Sequence, residues 1–406
     1  MRIRPFAALR PSPDAVGRIV SPPYDVVTTE EARRLAAANP LSMLHIVRPE
    51  IDFPDGTDPH SDPVYAKASE NFRALREAGH LIRESGPCLY VYQQQMGDHT
   101  QQGLVALCHV GDYEADRIKK HEKTRVDKEN DRTRLTSDLG ANTGPVFLTY
   151  RDNEAISSMM REASKGEPLY DLVADDGIRH TVWRIEGGNE FTDAFASVPC
   201  AYVADGHHRA ASAARVARER RAAHPEADAE TADFSWFLTV LFPGAQLRIL
   251  PYNRLVHDLG GRDADAFLAE LKKTGPVRDA DSPDPDGPGD IRFHLGGKWR
   301  SLALEPAPGA DPVASLDVSM LQDRVLAPLL GIADPRTSER IEFVGGIRGT
   351  EFLEDAVAGG RAAVAFSMFP VGIGQLMAIS DAGLLMPPKS TWFEPKLRSG
   401  FFLHTF

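Results

Sequence analysis

The chain has 406 residues and a formal net charge of −12. Its hydrophobic content of 42% and charged content of 26% are typical of an ordinary globular protein, and the length allows two domains or one elaborated domain. The acidic balance argues against binding nucleic acid or an anionic membrane by bulk electrostatics, although a local basic pocket is compatible with it.

The spacing of the cysteines and the hydropathy of the sequence indicate in which cellular compartment the protein is expected. Cys88, Cys108 and Cys200 are far apart, lack metal-ligand spacing and lie in apolar stretches, which predicts buried thiols of a cytosolic protein. No apolar run follows the first five residues, as it would in a signal peptide, and none approaches transmembrane length. We therefore expect a cytoplasmic protein.

The N-terminal stretch is rich in turn and extended signals. The prolines of Ser21–Val27 exclude a helix there, and Thr28 or Thr29 is placed to cap one over residues 30–38. The apolar run at residues 43–47 predicts a buried strand. Tyr24 and Asp25, on the rigid Pro-Pro turn, are candidates to line a substrate pocket, and a purely structural turn explains them equally well.

An amphipathic helix within residues 61–85 and a hairpin of strands 88–95 and 103–110 follow. The next stretch, residues 118–139, carries dense charge of both signs. One interpretation is a solvated helix face. The other is a catalytic loop, in which His121 and Glu122 supply a base or a metal ligand and Arg132 contacts the substrate.

The chemically most unusual stretch is Asp205–Arg209, which follows an apolar strand at residues 201–204 and opens a helix. Asp205 is a plausible N-cap, and Gly206 permits a sharp turn. His207, His208 and Arg209 then lie at the positive end of the helix dipole, which is unfavourable unless an anion binds there. The pattern predicts a phosphate site. The alternative is an ordinary Asp-Gly turn with structural histidines.

Further strands are predicted at 145–150 and 234–242, so the chain is expected to be α+β, with a mixed sheet and flanking helices. Residues 281–290 are rich in Asp, Pro and Gly and form a loop. We predict a core at 1–257, a peripheral α+β insertion at 258–315, and a C-terminal segment at 316–406 that packs back on the core.

The C-terminal tail is rigid and aromatic, and it combines cations with hydroxyls. It lacks the glycines of a P-loop, so that motif is rejected. Four of its residues could still form an anion cradle: Lys389, Ser390, Thr391 and Lys396. A packed tail with surface lysines is the alternative.

Five separated motifs, taken together, resemble the microbial family of unknown function numbered 1015 over essentially the whole chain. They are Arg4–Pro11, Ser21–Val26, His121–Thr124, Asp205–Arg209 and Pro388–Lys396. The family supplies no activity of its own.

The Asp205–Arg209 turn also resembles the phosphate-binding turn of the ParB/sulfiredoxin superfamily, which includes nucleotide-binding ParB proteins, ATP-using sulfiredoxin and free-serine kinases. The resemblance implies a core of that fold and nucleotide binding at this turn. The reactive cysteine of sulfiredoxin is replaced by His207, which excludes its redox reaction. The catalytic base does not carry over, and Glu122 is nominated on its chemistry alone.

The resulting hypothesis is a small-molecule kinase that uses ATP and Mg²⁺, with free serine or a similar hydroxyl metabolite as acceptor. Asp205 would bind the metal, Glu122 and His121 would act in catalysis, and Arg209 would bind phosphate. A ParB-like nucleotide switch and a hydrolase of phosphate esters or nucleotides remain alternatives. A homodimer is compatible with all three. We expect the Asp205–Arg209, His121–Thr124 and Lys389–Lys396 segments to converge on one pocket.

Overall fold

A computed structural model describes residues 1–406, the whole sequence. Its strands, in chain order, are β1 Ile3–Arg4, β2 Leu9–Pro11, β3 Leu81–Arg83, β4 Cys88–Met96, β5 His99–His109, β6 Ile118–Lys119, β7 Ala141–Asn142, β8 Val146–Tyr150, β9 Tyr170–Val173, β10 Arg179–Glu186, β11 Ala201–Asp205, β12 Trp236–Pro243, β13 Arg248–Leu250, β14 Tyr252–Val256, β15 Val277–Asp279, β16 Asp290–Leu295, β17 Lys298–Ala303, β18 Ile341–Gly345, β19 Val364–Ser367, β20 Trp392–Glu394 and β21 His404–Thr405.

The helices are α1 Val16–Ile19, α2 Thr29–Ala36, α3 Leu44–Val47, α4 Asp62–Glu77, α5 Val110–Glu114, α6 Val126–Leu139, α7 Glu154–Ala163, α8 Asn189–Ala196, α9 His207–Ala223, α10 Ala264–Thr274, α11 Asp317–Leu321, α12 Ala327–Leu330, α13 Glu351–Ala358 and α14 Ile373–Asp381. A π-helical turn, Gln322–Leu326, joins α11 to α12. No helix has both the length and the apolar character that crossing a bilayer requires.

The chain divides into two compact units. The first comprises Met1–Leu247 and Pro395–Phe406, and the second comprises Arg248–Glu394. These bounds differ from the three segments expected from the sequence, which were cut at 257/258 and 315/316. The loop predicted at residues 281–290 lies inside the second unit.

The first unit is built on a nine-stranded sheet with the order β6-β11-β8-β12-β5-β4-β10-β9, and β1 pairs with β5. The β12–β8 and β11–β6 pairs are parallel, whereas β4, β5 and β10 pair antiparallel. The predicted α+β fold with a mixed sheet is confirmed. Strand β11 lies between β6 and β8, so its carboxyl end, Asp205, is held by the sheet.

Helix α9 packs its alanine face into the core of this unit. Ala210, Ala213, Ala214 and Ala217 follow helical spacing and join the same buried cluster as Leu148 of β8. Methyl side chains allow the helix axis to approach the sheet closely. The first turn of α9 is therefore fixed against the strand that precedes it.

Local predictions near the N-terminus have mixed outcomes. Thr28 caps α2 in a capping box with Glu31, as its position predicted. The strand expected at residues 43–47 is wrong, because Leu44–Val47 forms the short helix α3. Leu44, Ile46 and Val47 are all buried, and a short apolar run has no periodicity that separates a strand from a buried helical turn.

The second unit contains a six-stranded sheet with the order β15-β17-β16-β19-β14-β18, and β13 pairs with β20. Strands β16 and β17 lie inside the expected insertion and pair with each other, and β16 also pairs with β19, which comes much later in the chain. Gly346 meets the backbone at Pro251, where a Cβ would lie 2.8 Å from the carbonyl oxygen. Glycine at this position thus allows a close approach of the two backbone segments.

The last twelve residues belong to the first unit. Phe401, Phe402 and Leu403 are buried, and the ring of Phe402 lies 4.6 Å from that of Tyr90. Strand β21 pairs with β7. The tail end is therefore packed, as its aromatic composition predicted.

Candidate functional site

The site is organised around the junction between β11 and α9. Gly206 is the residue before the helix and has φ of +93°, in the left-handed region that favours glycine. A Cβ at this position would also lie 3.1 Å from Nε of Arg209. Glycine therefore permits both the turn and the return of the Arg209 side chain over it.

Asp205 forms an ion-pair network instead of the predicted helix cap. Its Oδ2 accepts a hydrogen bond from Nη2 of Arg209 at 2.9 Å, and its Oδ1 lies 3.3 Å from Nζ of Lys396. No side chain caps α9. The cap fails because the carboxylate lies between two cations, and a charge-assisted bond is stronger than one to a neutral backbone N–H.

The electrostatics of Asp205 follow from these partners. Burial alone would raise the pKa of this carboxyl, but the Lys396 ammonium and the Arg209 guanidinium outweigh burial and hold the pKa well below its usual range. Asp205 is thus an anion at neutral pH. A metal ion at this carboxylate would have to displace one of the two cations, so the predicted metal role of Asp205 stays a prediction.

A second cluster lies beside the first residue of α9. The rings of His121 and His207 are 4.5 Å apart between centroids and meet edge to face at 88°. Potential metal-ligand atoms of His121, Glu122 and His207 all lie within 4.8 Å of one another. Both histidines are buried, whereas Glu122 is half-buried. The structure therefore joins the two sequence segments that carried the most unusual chemistry.

Both histidines are neutral at physiological pH. Burial lowers the pKa of His121 to about 4, although a backbone hydrogen bond to Val203 and the charge of Asp205 oppose the shift. Burial, followed by the proximity of His121, lowers the pKa of His207 well below its usual value. Nε2 of His207 is buried without a hydrogen-bond partner. A neutral imidazole with an accessible lone pair can accept a hydrogen bond or bind a metal.

His208 has a contact that the sequence did not indicate. Its Nε2 accepts a hydrogen bond of 3.0 Å from the backbone N–H of Arg125, the residue before α6. The start of α9 thereby holds the start of α6. We infer that His208 positions the 121–125 segment, in addition to its predicted place in the phosphate site.

Arg209 also lines a narrow cleft with Tyr24, Arg132, Gly144 and Ser399, in which the space open to the centre of a water-sized molecule is about 30 Å³. The guanidinium of Arg132 lies 4.1 Å from the centre of the Tyr24 ring. The Tyr24 hydroxyl and Nε of Arg209 are both buried without a hydrogen-bond partner. These two unsatisfied donors, beside a second buried guanidinium, give the cleft an unfilled capacity for an acceptor such as a phosphate or carboxylate oxygen.

The remaining predicted residues make other contacts. Asp25 is exposed. Ser390 donates to the carbonyl of Pro387 at 2.7 Å, and the backbone oxygen of Lys389 accepts from Arg254. Lys389, Ser390 and Thr391 belong to the second unit, whereas Lys396 belongs to the first and contacts Asp205.

Sequence reasoning missed part of the cleft wall. Gly144 lies close to Arg209, since a Cβ there would be 3.7 Å from Nη1, and 3.1 Å from the hydroxyl of Ser399. The available signal was the Asn142–Pro145 turn before β8, which combines a hydroxyl, a glycine and a proline.

A model of one protein family matches residues 3–319. The chain belongs to this family, described as protein of unknown function (DUF1015). The membership expected from the five motifs is thereby confirmed. A search of curated proteins finds no match to this DUF1015 chain.

Several solved structures resemble the chain. A free serine kinase in complex with AMP is 12% identical with a TM-score of 0.39, covering 73% of this chain and 92% of that chain. SbnI from Staphylococcus aureus, truncated at its C-terminus, is 13% identical with a TM-score of 0.40, covering 73% and 85%. A conserved hypothetical protein from Pyrococcus furiosus is 13% identical with a TM-score of 0.37, covering 73% and 94%. No role of a residue is transferred from these similarities.

Proposed function

We propose that this DUF1015 protein is a nucleotide-dependent phosphotransferase that moves a phosphoryl group from ATP to the hydroxyl of a small metabolite. Free serine is the first acceptor to test, because the resembling Asp-Gly-His-His-Arg turn occurs in free-serine kinases and one neighbouring structure is a free serine kinase with AMP.

The observation that carries the proposal is the set of cations around the start of α9. Asp205 contributes one negative charge, whereas Arg209 and Lys396 contribute two positive charges, so the group has a formal charge of +1. Nε of Arg209 is buried without a partner. A polyphosphate would use this surplus charge, the free donor and the positive end of the helix.

Arg132 and Tyr24 extend the same cleft. Arg132 is buried and donates from Nη1 to the carbonyl of Val47 at 3.0 Å, which fixes its guanidinium. A fixed cation that lines the same cleft as Arg209 is suited to orient the charged group of a metabolite. We assign Tyr24 and Arg132 to the substrate side of the cleft on this basis.

In the proposed step, the acceptor hydroxyl oxygen forms a bond to the γ-phosphorus of ATP. The bond from that phosphorus to the oxygen that bridges it to the β-phosphorus breaks, and ADP leaves. The hydroxyl proton passes to the Glu122 carboxylate. Arg209 and Lys396 stabilise the charge on the transferring group. Mg²⁺ bound to ATP would neutralise phosphate charge, and Asp205 would hold it only after releasing Lys396 or Arg209.

The test is incubation of the purified protein with ATP, Mg²⁺ and serine, then with a pool of hydroxyl metabolites, followed by detection of ADP and of a phosphorylated product. A phosphorylated acceptor formed in step with ADP supports the kinase. ADP with inorganic phosphate alone indicates the hydrolase. Calorimetric binding of ATP without turnover indicates the nucleotide switch, and absence of both binding and turnover contradicts all three functions.

A further inference from the structure

The cluster of His121, Glu122 and His207 is separate from the Asp205 ion pairs. We propose that these three side chains bind a divalent transition-metal ion, with zinc as the ion that best matches their donor set. The site would be distinct from the magnesium ion that accompanies ATP. It depends on the side chains alone, so it does not rest on the proposed kinase activity.

The geometry is that of three ligands converging on one point. One potential donor atom from each of the three side chains lies within 4.8 Å of the other two. Zinc binds nitrogen and oxygen at about 2.0–2.2 Å, so two ligands of one tetrahedral ion are about 3.3–3.6 Å apart. Side-chain rotations that move the donor atoms by about 1 Å close the difference. The near-perpendicular imidazole rings, 88° apart, can both direct a nitrogen to the same position.

The elements that carry the ligands are fixed by the fold. His121 lies two residues after β6, which pairs with β11 in the sheet. His207 is the first residue of α9, which follows β11. The two histidines thus come from neighbouring parallel strands, at the same edge of the sheet. A site built on such elements is preorganised, which lowers the free energy lost in ordering ligands.

His207 supplies the second, independent observation. The side chain is 6% exposed, and its Nε2 is buried with no hydrogen-bond partner in the protein. Leaving a buried polar nitrogen unsatisfied is unfavourable, and native structures rarely do so without a ligand or a functional reason. A metal ion bound to this nitrogen removes the deficit.

His121 has the orienting contact that metal-binding histidines commonly have. A backbone hydrogen bond links it to Val203 of β11. In known metal sites, the hydrogen bond of one ring nitrogen to a carbonyl fixes the ring and leaves the other nitrogen for the metal. Val203 is fully buried in the sheet, so this contact is rigid.

The donor set selects the class of metal. Imidazole nitrogens suit zinc and its neighbours in the first transition row, whereas magnesium prefers oxygen ligands and retains its waters. Three protein ligands leave a fourth position of a tetrahedral zinc open to water or to a phosphate oxygen. One carboxylate oxygen of Glu122 would bind the metal, and its second oxygen would remain for the acceptor hydroxyl.

The experiment uses the full chain after treatment with a chelator, and it titrates Zn²⁺ calorimetrically and Co²⁺ by visible absorption. We expect one Zn²⁺ per chain and the d–d absorption of tetrahedral Co²⁺. His207→Gln and Glu122→Gln should each weaken Zn²⁺ binding by about 10-fold or more, since even partners of ligands have effects of that size. His109→Gln is the matched control, because His109 is also buried but lies outside the cluster.

Three outcomes would overturn the site: no saturable Zn²⁺ binding by the wild type, equal weakening in His109→Gln, or Mg²⁺ binding of equal strength at the same residues. Circular dichroism checks that each variant folds. If His207→Gln does not fold, Glu122→Gln, which changes a half-buried side chain, still tests the zinc site. Titration of ATP with Mg²⁺ into zinc-free protein tests the nucleotide separately. Zinc binding without ATP binding would contradict the kinase and support the zinc site. ATP binding without zinc binding would support the kinase and contradict the zinc site.

Discussion

Two carboxylates of the first unit, Glu84 and Asp205, each lie between two cations, yet their surroundings differ. Glu84 accepts from Nε of Arg10 at 2.5 Å and from Nη1 of Arg184 at 3.1 Å, and its side chain is 4% exposed. Asp205 pairs with Arg209 and Lys396, and its side chain is 27% exposed. The types of contact are alike, so the difference lies in what remains unsatisfied.

We call the polar groups around Glu84 the closed network, because they are paired with one another. Arg10 also donates to the Tyr170 hydroxyl at 3.0 Å, and the Tyr90 hydroxyl donates to Glu84 at 3.4 Å. Around Asp205, by contrast, Nε of Arg209 lacks a partner, as does Nε2 of the adjacent His207. A network that satisfies its own members stabilises the fold, whereas one with unsatisfied buried donors and acceptors beside a cleft is suited to a ligand.

The largest expected effect concerns stability at the closed network. Glu84→Gln removes the charge opposite Arg10 and Arg184, and loss of one partner of a buried pair destabilises by about 3–5 kcal/mol. Asp205→Asn should destabilise less, because water reaches part of its side chain. Urea unfolding of both variants gives the free energies. An equal or larger loss in Asp205→Asn would erase the distinction between the two networks.

The next effect concerns catalysis. Glu122→Gln retains the shape of the side chain but cannot accept the hydroxyl proton, so turnover should fall by ~10²-fold or more. Affinity for a non-hydrolysable ATP analogue, measured by calorimetry, should change little. Glu129→Gln is the control, because Glu129 lies nearby on α6, where it accepts from Thr124 at 2.7 Å. Full activity of Glu122→Gln would remove it as the base.

The third effect compares the two arginines directly. Arg209→Ala should weaken ATP binding by ~1.5–3 kcal/mol, the range for a hydrogen bond to a charged group. Arg10→Ala is the matched variant in the closed network, and it should lower stability while leaving the ATP affinity of the folded protein unchanged. Calorimetric titration of both, with unfolding curves, separates the roles. Undiminished nucleotide binding by Arg209→Ala would exclude it as a phosphate ligand.

The same residues show which parts of the site could be predicted from the sequence. The Asp205–Arg209 turn and the His121–Glu122 pair could be singled out because each combines several reactive groups at one local element. Helix α9 and strands β4, β5, β8, β11 and β12 were predicted because their periodicity, turns and length are local properties.

The sequence could not show which distant side chains form hydrogen bonds and ion pairs with these residues. Lys396 is 191 residues away from Asp205, and nothing in the local pattern indicates that it reaches the carboxylate. The same limit applies to the unit boundaries, because β19 completes the sheet of β16 from a distant position. Long-range pairing depends on the tertiary arrangement, which propensity and periodicity do not encode.

The smallest expected effect concerns the pH dependence of stability, and it compares two buried histidines. His180 is fully buried like His121, but both of its ring nitrogens have partners: the Tyr92 hydroxyl lies 2.8 Å from Nδ1, and Nε of Arg398 donates to Nε2 at 3.3 Å. The Phe401 ring packs against both His180 and Tyr170, so His180 lies next to the closed network, to which Tyr170 belongs.

Burial and then the Arg398 charge lower the pKa of His180 to about 3. The unfolded chain therefore takes up a proton below its ordinary pKa of about 6.5 while the folded chain does not, so stability is full above that pH and falls as the pH decreases towards 3. Between pH 7 and pH 5 this one group should reduce the free energy of unfolding by about 2 kcal/mol. His180→Gln should reduce that pH dependence by the same amount in urea titrations at both pH values, and His224→Gln, which replaces an exposed histidine, is the control. If His180→Gln leaves the pH dependence unchanged, His180 is not held neutral by its surroundings.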